Sequence, residues 1–582
     1  MVLNSMSYRE GPGFQYPTPS LSRTLGQLID KQAEQRGEHV ALVSAWQNAS
    51  LTYQQLLNSC RSISGRLLRH GVRPGDRIVV LAGNSVEYAQ LFFAVGAIGA
   101  VFSIINPTLE PDEVIEAVEF LSHMHAEPKC IFIADRIGNR KNASVLGDLV
   151  RVRQQPTCFV QLGTTTATDG VLTWDEFLHD AGDSRGGDDL LARYWATCSP
   201  DTTVCIQFTS GIPPAHLVGN AVLVGQRLGY TPSDVVCSTT PLFHCFALVC
   251  GLIATVAYGA TVVLPSDVFL AGATLQVLSE RKCTVIYSVA TMLQAMLDHP
   301  DAGTHRPGMS LRTGIVAGSA LTSDLVGRLA AELGLGGLTY GYGMTEASCI
   351  VFMTDPKQDR LTDDFSSVGT LLPCLAARVV DEHLSTVPVG SAGELLVSGH
   401  SVFQGYYKNP LKTDDTIVRD AQGRHWLRTG DLVSIDDAGR CTIVGRVKDM
   451  IKRGGENIFP RDVEAVLEQH PEIHAAAVVG IPDALGYWGE VVGVFIQRAC
   501  GSNCKPESKS VERQGGLGKK ELKRWLRGRI ATHKVPEYFF WIGEGGGVPD
   551  ELPTNHSGKM VKSELRATAT ALSKSKGFQN VE

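Results

Sequence analysis

Helical patterns alternate with short apolar strands through the first part of this chain, and that alternation limits the folds open to it more than any other feature. Arg77-Ile-Val-Val-Leu81 reads as a buried strand, residues 86–100 as a helix, and Val101-Phe-Ser-Ile-Ile105 as the next strand. Leu51-Thr-Tyr-Gln-Gln-Leu-Leu opens an amphipathic helix with Thr52 as its N-cap. Units of this kind build a parallel sheet through right-handed crossovers. Such sheets bind ligands beyond the carboxyl ends of their strands.

Residues 246–264 carry no charge and are long enough to raise the question of a membrane span. Gly251 and Gly259 interrupt the run, and its end, Ala260-Thr-Val-Val-Leu264, turns β-branched. A buried helix followed by a buried parallel strand is the expectation, with no transmembrane segment. Over residues 378–445 the texture changes to shorter strands separated by glycine, such as Gly393-Glu-Leu-Leu-Val-Ser398 and Cys441-Thr-Ile-Val444, a mainly β module. Beyond it a helix at 461–470, a strand at 475–480 and a helix at 519–531 predict a small α+β domain. Residues 501–518 are polar, basic and rich in glycine, and read as an exposed insertion.

A chain of 582 residues, 43% hydrophobic, can bury several cores. Its net charge of -7 and lack of a basic block give no footprint for nucleic acid. The 14 cysteines include no CxxC pair, which favours reduced thiols and implies no zinc site. The first 19 residues lack a basic stretch followed by an apolar one, and Asn-Val-Glu582 is no peroxisomal address. A cytoplasmic protein is the default expectation.

The run Gly445-Arg-Val-Lys-Asp-Met-Ile-Lys-Arg-Gly-Gly-Glu-Asn-Ile-Phe-Pro460 concentrates charge and paired glycines in a strand-and-turn segment. A charged surface hairpin explains it as well as a hinge that exchanges ion pairs, taken alone. Its company decides. Upstream stand Thr313-Gly-Ile-Val-Ala-Gly-Ser-Ala320, Tyr342-Gly-Met-Thr-Glu346 and Thr429-Gly-Asp431, and downstream Ser557-Gly-Lys559. In that order they resemble the adenylate-forming (AMP-binding) superfamily, in its acyl-CoA synthetase branch, over nearly the whole chain.

The resemblance implies an α/β fold: a large N-terminal region of two doubly wound α/β subdomains plus a β module, and a small mobile α+β C-terminal domain. The AMP-binding domain would span residues 1–447 and the lid 448–582. The implied reaction joins a carboxylic acid, ATP and coenzyme A, with Mg2+, through an acyl adenylate. Medium-chain fatty acids and acids of secondary metabolism are the nearest in texture. Such catalysis is largely positioning and neutralisation of phosphate charge.

By the same resemblance Tyr342 stacks on adenine with Gly341 at its edge, and Gly318, Ser319 and Ala320 form the loop that cups the base and borders the acyl pocket. Thr345 bonds the α-phosphate and Glu346 holds the magnesium. Asp431 accepts from the ribose hydroxyls, and Arg446 reaches ribose and phosphates. Lys448 is the hinge. Lys452, Gly454 and Gly455 line the coenzyme A path. Lys559 is the mobile lysine of adenylation, and His244, in Pro241-Leu-Phe-His-Cys245, gates the acyl carboxylate; a satisfied core histidine explains His244 equally well.

One departure is severe. Thr209-Ser210-Gly211 begins the phosphate loop that in this family continues Thr-Thr-Gly-x-Pro-Lys, but the chain passes straight to Ile212-Pro-Pro-Ala-His216-Leu-Val-Gly-Asn220. About nine residues, with the amides and lysine that clamp the outer phosphates, are missing. A gene-model error, a real deletion and a divergent enzyme with another clamp all fit. The alternative function is therefore an adenylation-deficient relative that binds ligands or catalyses only the thioester half-reaction.

Overall fold

The computed structural model describes residues 6–11, 23–125, 128–152, 157–163, 169–179, 187–207, 210–318, 321–356, 367–406, 409–454, 456–483, 488–499, 517–554 and 560–574. They fall into two compact units. The first comprises Met1–Arg378, Leu396–Thr429 and Asp436–Cys441, and the second Val379–Leu395, Gly430–Ile435 and Thr442–Glu582.

Two mainly parallel sheets organise the first unit, as the alternation requires. In one, strands run in the order Leu172–Thr173, Cys158–Leu162, Cys130–Ala134, Arg77–Leu81, Val101–Ile104 and Cys205–Gln207, all parallel, with Ser210–Ile212 antiparallel at the edge. In the other, Leu338–Met344, Thr313–Ala317, Val285–Ser288, Val235–Ser238, Thr261–Leu264 and Val40–Ser44 lie parallel side by side. Cys349–Met353 continues this sheet antiparallel to Leu338–Met344.

Strands covered on both faces are buried along their whole length and mainly apolar, as in Arg77–Leu81, where four apolar residues follow the buried Arg77. Val79, Leu81, Ile131 and Ile133 pack with Val114, Val118, Leu146 and Leu149 of the helices on one face of the first sheet. Thr52 caps its helix as expected, in a reciprocal capping box with Gln55. The helix expected over 86–100 ends at Ala97, and Gly99 at φ +72° turns the chain into the next strand.

Residues 246–264 are the buried helix and parallel strand that their pattern implies, but the helix is a π-helix over Phe246–Ile253 running into an α-turn over Ala254–Ala257. Among the described residues no helix is long and apolar enough to cross a membrane. In the β module Leu375–Val380, Gly393–Gly399, His425–Ile435 and Arg440–Arg446 follow one another in the sheet.

The second unit centres on three strands. Ile473–Pro482 pairs antiparallel with Glu490–Arg498, which pairs parallel with Tyr538–Trp541. Side chains alternate across this sheet: Ala476 and Val478 face Val463, Leu467, Leu522 and Leu526, whereas Ala477 and Val479 face Leu565 and Ala569. Helices Pro460–Leu467 and Lys519–Leu526 thus cover one face and Lys562–Ser573 the other. The second of these stops five residues before the expected 531, because Arg527 is already extended at ψ 129° and Gly528 follows at φ +84°. Of the expected insertion, residues 501–516 lie outside the described residues; Leu517 is buried in the core and Gly518 precedes the helix, so these two belong to the packed domain.

Candidate active site

Ala317 lies beside Gly341 at the ends of two parallel strands. The Gly318 turn and Tyr342 therefore emerge together at the carboxyl edge of the sheet. Gly318 takes φ +82°, which favours glycine. Ser319 and Ala320 lie outside the described residues. Gly341 is wedged between Ile315 and Ile350, where a Cβ would come within 3.2 Å of both. Tyr342 sits opposite Phe352 across the antiparallel ladder, ring centroids 6.4 Å apart.

The ladder then slips between Tyr342 and Gly343. No side chain fits at Gly343, since a Cβ would fall 1.6 Å from the Cys349 carbonyl oxygen. Thr345–Ala347 make one 3-10 turn, and the chain returns through Ser348 at φ +56° and Cys349 at φ +115°. Such conformations cost about 1–3 kcal/mol each and persist only where their surroundings over-determine them. Asn220 supplies that constraint. Its side-chain Nδ2 donates to the Ile350 carbonyl at 2.7 Å, and its Oδ1 accepts from the Ile350 N–H at 3.1 Å.

Glu346 is held from two sides of one loop. Its Oε1 accepts from the Tyr406 hydroxyl at 2.8 Å, and its carbonyl accepts from the Phe403 N–H at 2.8 Å. Burial, and then the Glu346 charge, push the Tyr406 phenol up to about 12, so it stays a donor at neutral pH. Among the described residues no group of three His, Cys, Asp or Glu converges on a metal position.

His244 stands just before the π-helix, with its ring centroid 4.0 Å from that of Phe243. The neighbouring Cys245 Sγ is 3.5 Å from Thr345 Oγ1, so the His244 segment and the Thr345 turn meet. The phosphate-loop remnant is a tight hairpin, with Cys205 opposite Ile212 and Gln207 opposite Ser210. Ser210 and Gly211 are strand residues there, and Thr209 lies outside the described residues. Pro213 then caps the helix Pro214–Leu228, which carries both His216 and Asn220.

In the second unit Arg446 Nε lies 3.2 Å from Asp431 Oδ1, with the carboxylate side chain only 12% exposed and the arginine 64%. Lys448 occupies the following turn, where the Asp449 and Met450 N–H groups both donate to the Arg446 carbonyl at 3.1 Å. The charged run becomes a hairpin of Ile451–Arg453 with Glu456–Ile458. Lys452 has an exposed side chain, and its N–H donates to Glu490 Oε2 at 2.9 Å. Gly454 turns at φ +58° under Trp488, whose ring a Cβ would meet at 2.6 Å.

Gly455 and Lys559 lie outside the described residues. The neck of the Lys559 loop is described: Thr554 bridges Met560, and the Val561 N–H donates to the Pro553 carbonyl at 2.8 Å. Asn220, Tyr406 and Trp488 were not legible as site residues. Each acts on a motif residue far away in sequence or through its backbone, and carries no local signature.

The AMP-binding enzyme family profile matches residues 29–407, and that of the AMP-binding enzyme C-terminal domain residues 462–559. The acyl-CoA ligase sidI of Beauveria bassiana is 38% identical over 560 residues, covering 94% of this chain and 92% of that protein. The mitochondrial medium-chain acyl-CoA ligase ACSF2 of Danio rerio is 29% identical, covering 94% and 88%. The solved structure of the anthranilate CoA ligase AuaEII with anthranoyl-AMP shares the fold, with a TM-score of 0.75, 23% identity and coverage of 95% and 98%. With its Tyr342–Glu346 segment at the carboxyl edge of a parallel sheet and matches across both units, the chain belongs to the AMP-binding enzyme family.

Proposed function

We propose that this protein is an AMP-forming acyl-CoA ligase. It activates a carboxylic acid, of the medium-chain fatty or secondary-metabolite kind, as an acyl adenylate and passes the acyl group to coenzyme A. The observation that carries this reading is the Tyr342–Glu346 segment, with Glu346 held by Tyr406 and the strand it returns to held by Asn220, in a chain that matches acyl-CoA ligases along nearly its full length. In the first step the carboxylate attacks the α-phosphorus of ATP and pyrophosphate leaves; in the second the coenzyme A thiol attacks the acyl carbon and AMP leaves.

The residue roles form part of the proposal. Tyr342 and Gly341 take the adenine beside the turn at Gly318, Ser319 and Ala320, and Thr345 takes the α-phosphate. Asp431 takes the ribose, oriented by Arg446. Lys559 meets the α-phosphate during adenylation, and His244 borders the acyl carboxylate. Lys448 is the hinge between an AMP-binding domain of residues 1–447 and a lid of 448–582, and Lys452, Gly454 and Gly455 line the coenzyme A path. A lone carboxylate suits Mg2+, which takes one or two protein carboxylates and fills its other positions with water and phosphate oxygens. Glu346 would hold it, and the ion would neutralise phosphate charge. A cytoplasmic setting is supported by the free thiols of the described cysteines.

A second reading, in which only the thioester half-reaction survives, is favoured by the hairpin of Cys205–Gln207 with Ser210–Ile212. Supplying a synthetic medium-chain acyl adenylate and coenzyme A tests the ligase reading without involving ATP. Acyl-CoA should appear, and Lys559→Ala should reduce this step far less than it reduces adenylate formation in a protein with a restored phosphate loop. No acyl-CoA from any supplied adenylate would sink the ligase reading. Equal loss in both half-reactions would remove the Lys559 role.

A further inference from the structure

Three thiols meet behind the Thr345 turn, and none has a part in the chemistry above. Cys245 Sγ lies 3.5 Å from Thr345 Oγ1, and Cys250 Sγ lies 3.4 Å from Cys349 Sγ. Cys349 also neighbours Cys245 closely enough to shift its thiol, so it stands between the other two. The π-helix is what gathers them. In an α-helix residues five apart point about 140° away from one another, whereas a π-turn closes on the fifth residue and brings Cys245 and Cys250 to one side. The Ala254 N–H donates to the Val249 carbonyl, as that turn requires.

The three differ in access. Cys250 and Cys349 are fully interior, while Cys245 belongs to a partly exposed residue. The hydrogen bond from Cys349, and then burial, hold the Cys245 thiol protonated well above the usual thiol range; burial does the same for Cys349. The raised thiols make the cluster slow to react, and Cys245, its one member that is not fully buried, is the first that an oxidant would meet.

We propose that Cys245, Cys250 and Cys349 form an oxidation site, in which a hydroperoxide oxidises Cys245 and closure onto Cys349 disables the Thr345 turn. The Cys245 sulfur donates an electron pair to the peroxide, breaking the O–O bond and giving a sulfenic acid and an alcohol or water. The Cys349 thiol then displaces water from that sulfur and forms the disulfide. Cys250 can take over the bond by attacking the Cys349 sulfur, which returns Cys245 to the thiol.

A disulfide is about 2.05 Å long, so joining Cys349 to either neighbour draws its sulfur inward by more than an ångström from the 3.4 Å seen with Cys250. The Cys349 backbone is already at φ +115° and pairs with Met344, the residue before Thr345. Misplacement on the ångström scale costs about a hundredfold in such sites. The effect on nucleotide rests on the reading of Thr345 as the α-phosphate residue; the oxidation chemistry does not.

The test uses the full chain, hydrogen peroxide, dimedone to trap sulfenic acid, and non-reducing peptide mapping, beside calorimetric titration with AMP. Expected are a dimedone adduct at Cys245, and without dimedone a disulfide joining Cys349 to Cys245 or Cys250. AMP affinity should fall at least about tenfold and return with dithiothreitol. Cys349→Ala should keep its AMP affinity under peroxide; should that variant not fold, mapping of the unaltered protein decides. The touching pairs Cys130–Cys158 and Cys237–Cys283 are internal controls. Oxidation there with the three site thiols left free, or a site disulfide that leaves AMP affinity unchanged, would overturn the proposal. If untreated protein does not bind AMP, the nucleotide reading fails, and the mapping still decides whether the thiols are an oxidation site.

Discussion

Asn220 stands in for a strand partner at the point where the Thr345 turn rejoins its sheet, satisfying both backbone groups of Ile350 from a fully buried position. Asn220→Ala leaves a buried N–H and a buried C=O without partners, at about 1–3 kcal/mol each. The melting midpoint should fall by several degrees and AMP affinity should fall with it; a variant that melts like the unaltered protein would show the clamp to be dispensable. Four residues earlier on the same helix, burial and then the nearby His400 hold His216 down to about 4. The unfolded chain takes that proton near pH 6.5, so the stability this group confers is complete above pH 6.5 and is lost as pH falls toward 4, by about 3 kcal/mol in all. Urea midpoints at pH 7 and pH 5 should differ less in His216→Gln, and an equal drop would remove the assignment. Tyr342, Thr345 and Glu346 could be singled out in sequence because the roles proposed for them, toward adenine, phosphate and cation, call for those residue types in that order. Tyr406 could not, since its link to Glu346 exists only when residues 60 apart are folded together.

Helix Lys562–Ser573 begins shortly after Lys559, and the ion pair at its first residue pins its start, with Arg566 pairing Glu490 one turn on. Lys562 Nζ donates to Glu464 Oε1 at 2.5 Å, and that oxygen also accepts from the Val478 N–H at 2.8 Å, with the Glu464 side chain 7% exposed. Lys562→Met strands a buried carboxylate, a loss of about 3–5 kcal/mol. Amide exchange along Ile473–Pro482 should quicken, and Lys562→Met with Glu464→Gln should recover much of the protection. No change in exchange would show that the pair carries no weight. Elements with strong periodicity were legible, including the helix capped by Thr52 and the strands of the central sheets. The π-helix was not, because an unbroken apolar run such as Phe246–Ile253 gives no periodicity from which to tell one helical pitch from another. The hairpin before Pro213 was hidden for a different reason: a strand of three residues is too short to show alternation.

On the scale of the whole molecule, alternation fixed the class of fold but not which strands are neighbours. Val40–Ser44 lies beside Thr261–Leu264, a pairing across more than two hundred residues that no local pattern encodes. The shortened hairpin belongs to this scale too, because it decides whether a molecule with both units in place can start its own reaction. Closing over a triphosphate takes several free amides and a cation, and here Ser210, Gly211 and Ile212 lie in a two-stranded ladder with Cys205–Gln207. AMP presents one phosphate, which the residues assigned to it can meet without that loop. Calorimetry should therefore show binding of a non-hydrolysable acyl-AMP mimic, while pyrophosphate release from ATP is weak or absent. Inserting the family's Thr-Thr-Gly-x-Pro-Lys segment between Gly211 and Ile212 should raise ATP-dependent turnover by orders of magnitude and leave affinity for the mimic within a few-fold, since the added donors act on charge that only ATP carries. Brisk acyl-CoA synthesis from ATP by the unaltered chain would refute this and move the search for a phosphate clamp to the mostly buried His216, at the start of the helix that follows the hairpin.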